Sequence, residues 1–119
     1  MLVDTAIWVD HLRGGDATLV DLLERDLVSM HPFVVGEVAC GHLTDRDEVL
    51  QAMQSLPALP LVPDPDVLSF SGLHRLYGRG LGWIDIHLLA AASASGELLF
   101  TRDRRLHAAA EELGLAARP

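Results

Sequence analysis

The chain has 119 residues, half of them hydrophobic, and nine basic residues against seventeen acids, a formal charge of −8. That length suits one compact domain over residues 1–119, with apolar content enough for a core. The numbers exclude a bilayer span, because no apolar run reaches the roughly 18 residues required. They also speak against a general nucleic-acid binder, which would show a basic footprint.

In chain order, Leu2 and Val3 read as a short buried strand. Thr5 to Leu12 has helical spacing through Ile7, Trp8 and Leu12, and Asp16 to Arg25 through Leu19, Leu22 and Leu23. Leu27 to Met30 is a second strand candidate. His31-Pro32 then opens a helix over FVVGEVACGHL, with proline at a first helical position. Thr44 is placed to cap the helix DRDEVLQAMQSL, which Pro57 and Pro60 end. LPLV is a third strand candidate, and Asp64-Pro65 opens a helix running to about Tyr77. Gly78, Gly80 and Gly82 suggest a flexible hinge. Trp83 to Ser95 is a strongly apolar helix that Gly96 stops. ELLFT is the clearest strand, Arg104 to Leu113 the last helix, and Leu115 to Ala117 a short edge strand. Short apolar strands alternating with helices predict an α/β sandwich around a mainly parallel sheet.

Four acids sit inside or at the ends of apolar stretches: Asp4, Glu37, Asp85 and Asp103. A lone carboxylate in such surroundings is costly unless paired. Two like charges about 4 Å apart at an effective dielectric near 20 repel by roughly 4 kcal/mol. A divalent cation is the simplest partner able to offset that cost, so a hard-metal, oxygen-ligand site is expected. Ligands in such folds gather beyond the carboxyl ends of strands. Asp4 follows the first strand directly, and only Arg102 separates Asp103 from ELLFT.

Each acid also has a plain structural reading. Asp4 and Asp103 could cap the helices that follow, Glu37 could pair with an arginine, and Asp85 could serve the positive end of its helix. Thr5 could cap the first helix itself and free Asp4. Thr101 could orient a metal-bound water, and Arg102, Arg104 and Arg105 could meet phosphates. His87 reads as a hydrogen-bonded packing residue. No Cys/His spacing suggests zinc, and neither a nucleophile-elbow serine motif nor a Walker A loop is present. The one cysteine, Cys40, reads as a buried small side chain. The opening residues lack the basic stretch of a signal peptide, and a reducing cytoplasm is the expected location.

The segments MLVDTAIWVDHLR, HPFVVGEVACG, GRGLGWIDIHLLAAA and LLFTRDRRL, in this order and spacing, resemble the PIN-domain family, specifically the VapC-type toxins of bacterial toxin–antitoxin pairs. The resemblance covers essentially the whole chain. It implies a three-layer α/β/α sandwich and a Mg²⁺- or Mn²⁺-dependent endoribonuclease. By motif position, Asp4, Glu37, Asp85 and Asp103 match the family's four acids, which hold metal and activate water. Asp4 and Asp85 would be the most direct ligands; Glu37 and Asp103 would bind directly or through water. The resemblance further implies a homodimer, a VapB-type antitoxin that blocks the site, and structured RNA such as tRNA or rRNA as target. Ala6 departs from the family, standing where a serine is common. Two other functions stay open: a catalytically silent binding module on the same fold, and a metal-dependent nuclease acting on DNA.

Overall fold

A computed structural model describes residues 1–119. Its centre is a parallel pair, β1 (Leu2–Val3) and β2 (Leu99–Phe100), with Leu2 opposite Leu99 and Val3 opposite Phe100. Single parallel bridges extend the ribbon on both sides: Leu2 to Ser29, Met30 to Ala58, and Leu99 to Ala116. Five chain segments therefore lie side by side in the spatial order 58, 29–30, 2–3, 99–100, 116, although only two are regular strands. Successive strand residues point to opposite faces. All four residues of β1 and β2 are buried, so both faces are covered. The result is the expected three-layer α/β/α sandwich.

Seven helices supply the covering layers: α1 (Thr5–Gly14), α2 (Ala17–Glu24), α3 (Pro32–Ala39), α4 (Arg46–Gln54), α5 (Asp64–Leu73), α6 (Trp83–Ser95) and α7 (Arg104–Glu112). α1 packs on α2 and α3, and α3 on α4; α5 packs on α6, which also meets β2. α6 is buried without a break from Ile86 to Ala92. A helix apolar all round belongs inside, and this one is the spine of the core. One cluster of 26 buried apolar residues links it to both strands.

Local chemistry sets where the helices begin. Asp4, Asp16 and Asp103 cap α1, α2 and α7 with their carboxylates, and His31 caps α3 by accepting the Phe33 N–H at Nδ1. Each satisfies an N–H group that the first turn leaves free. Asp4 does the capping at α1, while Thr5 is the first helical residue.

Three local expectations are corrected. Cys40 is exposed, because it follows α3 where the chain turns out to solvent. α4 is preceded by Asp45 in a left-handed conformation (φ 54°) with no side-chain cap, in place of a Thr44 cap. The Gly78–Gly82 loop is pinned, not a free hinge. Both guanidinium nitrogens of Arg79 bond Glu112 on α7, at 2.7 and 2.9 Å. Arg105 of α7 lies over Gly80, whose φ is +77°, and a Cβ there would fall 2.5 Å from the guanidinium. The positive φ favours glycine at position 80, while the Arg105 side chain could move aside for a Cβ.

Candidate active site

At the carboxyl end of β1 the chain enters α1 through Asp4. Its Oδ1 accepts the Thr5 N–H at 2.8 Å, and its Oδ2 accepts the Thr101 hydroxyl at 2.7 Å. Thr101 in turn accepts the Asp103 N–H at 3.1 Å. One threonine thus ties the ends of the two parallel strands together, and it orients the Asp4 carboxylate itself. Asp4 is only 8% exposed. Burial raises its pKa above the ordinary aspartate value. The Thr101 and Thr5 hydrogen bonds oppose the rise, and the charges of Asp85 and Asp103 add to it.

Asp4 opens into a cleft of about 790 Å³ whose walls include Thr5, Glu37 and Asp85. Three of the four acids, from three distant segments of the chain, therefore line one cavity. Asp103 does not line it; it is exposed, near enough for its charge to act on Asp4, and caps α7 through the Leu106 N–H at 3.0 Å. Asp85 is half-buried at the start of α6, and its Oδ2 accepts the Gly82 N–H at 2.9 Å. Glu37 is exposed on α3 and makes no hydrogen bond or ion pair. Of the four acids only Asp4 is buried. None of the four pairs with an arginine.

The cleft is lined by four carboxylates once Asp10 is counted, and by no arginine, histidine or cysteine. Asp10, which directly follows the apolar run Ala6–Val9, was not among the four acids expected. Its signal was helical spacing: Ala6, Val9 and Asp10 share one face of α1 and line the cavity together. Such a donor set suits a hard cation with oxygen ligands and offers nothing to a soft one. No three donor groups are drawn together as a ready-made cage. Mg²⁺ does not need one, because it commonly keeps several waters and takes one or two carboxylates. The residues fit a hydrated divalent ion.

Arg102 is not free to meet phosphate. Its guanidinium makes two hydrogen bonds to Asp16, at 2.6 and 3.2 Å, and lies 5.1 Å from the centre of the Phe100 ring. The pair holds the Asp16 pKa down to about 2, with the Arg102 hydrogen bond as the main cause. Arg105 is exposed and lies beside Gly80, with no ion pair of its own. His87 is a packing residue, as expected: it is fully buried, with Nε2 3.0 Å from Asp64 Oδ1.

A strand end and three helices that bring acids into one cleft, within an α/β/α sandwich, define a class. The PIN domain family matches residues 1–112, and the chain belongs to it. Two relatives carry the name Ribonuclease VapC32, from Mycobacterium tuberculosis strains CDC 1551 / Oshkosh and ATCC 25618 / H37Rv. Each is 46% identical over 117 residues, spanning 98% of this chain and 94% of the relative.

Proposed function

We propose that this chain is a VapC-type endoribonuclease, the toxin of a type II toxin–antitoxin pair, and that it requires a divalent metal. The observation that carries the reading is the meeting of Asp4, Glu37 and Asp85 in one cleft at the carboxyl end of β1. Family membership and ribonuclease relatives of nearly equal length support it.

In this reading Asp4 and Asp85 hold Mg²⁺ or Mn²⁺ most directly. Glu37 and Asp103 complete the set directly or through water. When bound, the ion supplies Lewis-acid activation of water and neutralises charge developing on the phosphodiester. The protein's own part is orientation. Thr101 and the Thr5 N–H fix both oxygens of Asp4, so its carboxylate cannot swing away from the cleft. Asp85 is held at the start of α6 by the Gly82 N–H, where the helix end stabilises its charge. Glu37, free of internal partners, can adjust its position within the cleft.

The partners follow from the same reading. A VapB-type antitoxin would cover the acidic cleft, and a basic side chain entering it would be electrostatically favoured. Structured RNA such as tRNA or rRNA is the proposed target, a homodimer the proposed assembly and the cytoplasm the proposed location. No helix is long and apolar enough to cross a membrane.

The test is cleavage of matched RNA and DNA hairpins in Mg²⁺ by the wild-type protein, Asp4→Asn and Asp85→Asn. RNA cleavage that disappears with EDTA, and falls at least about 100-fold in each variant, supports the reading. Undiminished cleavage in either variant or in EDTA refutes it, and preferred cleavage of DNA would transfer the activity to a different substrate.

A further inference from the structure

The cleft presents a physical difficulty for any RNA. Its walls carry four carboxylates and no cation, in a chain of net charge −8. Phosphate contacts, which usually dominate nucleic-acid affinity, have nothing to bind on these walls beyond a bound metal. Part of the hold on RNA must come from an uncharged group.

One is present. Trp83, the first residue of α6, lines the cleft two positions before Asp85 and is 40% exposed. The other tryptophan, Trp8, is buried at 4%. An indole left open to solvent beside the cleft calls for an occupant, because aromatic rings of this size usually bury their faces. Trp83 is also rigidly set. The His87 ring stands edge-on to it, with centroids 4.8 Å apart and planes at 88°. His87 packs in turn on Phe33, at 4.6 Å, and bonds Asp64. A fixed aromatic face can accept a flat ligand without being ordered on binding.

We infer that Trp83 is a stacking platform for one unpaired nucleobase of the RNA substrate, next to the phosphodiester that the cleft acids address. The inference rests on the ribonuclease reading and deepens it: the substrate is single-stranded at the cleft. Stacking on an aromatic side chain serves any base and is indifferent to the negative charge around it. A duplex keeps its bases stacked internally and offers no free face. Trp83 is thus a substrate-positioning residue, distinct from the acids.

The experiment has two arms. In EDTA, where cleavage is off, uncleaved single-stranded hexanucleotides are titrated against tryptophan emission. Saturable quenching is expected in the wild type and absent in Trp83→Phe, which retains only buried Trp8. Second, anisotropy of a labelled hexanucleotide should show Trp83→Leu weakened roughly 5- to 150-fold, the range for one lost stacked base. Trp83→Phe, which keeps a ring, should retain most of the affinity. With Mg²⁺, Trp83→Leu should raise KM and largely keep kcat. Equal quenching in Trp83→Phe, or unchanged affinity in a folded Trp83→Leu, overturns the inference while wild-type cleavage stands. If Trp83→Leu does not fold, the quenching arm decides alone. Failure of the underlying reading shows separately, as wild-type protein that cleaves no RNA in Mg²⁺.

Discussion

The fold opposes ionisation of Asp4. Its pKa is raised, chiefly by burial, with the charges of Asp85 and Asp103 adding to the effect. Above pH 3.8, up to the raised value, the folded protein keeps a proton that the unfolded chain has released. The stability from protonated Asp4 is therefore present at low pH and lost as pH rises through the folded pKa. At neutral pH without metal, the ionised group strains the structure. Asp4→Asn should then melt higher than wild type in EDTA; a clear drop in melting temperature would contradict this. His31 titrates with the opposite sign. Burial, aided by the nearby His87, lowers its pKa from 6.5 to about 4. Across that window the unfolded chain binds the proton and the folded protein does not. Stability due to neutral His31 is complete above pH 6.5 and falls as pH drops toward 4. Urea midpoints measured from pH 4 to 7 should rise less steeply in His31→Asn, which keeps a capping side chain, and equal slopes would exclude His31 as the source. The acids themselves were legible in the sequence, but their burial was not. Glu37 sits among apolar neighbours, yet Val34 and Val38 face the core while Glu37 faces solvent. Local composition cannot report which side of a helix a residue occupies.

Between elements, the turns at the strand ends are tied by polar contacts from distant segments. Asp16 illustrates this: it caps α2 through the Leu19 N–H at 3.0 Å and also receives Arg102 from the β2–α7 turn. Asp16→Ala removes both, and should cost about 1–2 kcal/mol in urea unfolding, more than Arg102→Ala, which spares the cap. Equal losses in the two variants would mean that the cap contributes nothing. Where elements carry their own punctuation, the sequence located them well: α6 runs from Trp83 to Ser95, between Gly82 and Gly96. Where that punctuation is absent, boundaries shifted. α5 ends at Leu73, four residues before Tyr77, because Arg75 takes the left-handed conformation (φ 53°) that a glycine would have announced. The second strand candidate is reduced to bridges at Ser29 and Met30. The third pairs at Ala58, ahead of LPLV, beside prolines that cannot donate to a ladder.

For the whole molecule, the cleft is made by topology. Parallel pairing of β1 with β2 sets Asp4 against Thr101 across 97 positions of sequence, and the packing of α1 on α3 draws in Glu37. The ordered motifs foretold that the acids belong together. They could not foretell that Asp103 stays outside the cleft wall, that Asp10 joins it, or that Arg102 is committed to Asp16. Those facts depend on how helices rotate in the packed state. The most direct test of the account is calorimetric titration of Mg²⁺ into the wild type, Asp4→Asn and Asp85→Asn at pH 7. Binding at millimolar concentration or tighter in the wild type, lost or weakened at least about tenfold in both variants, is the predicted result. Absent binding in the wild type, or equal binding in all three proteins, would contradict it.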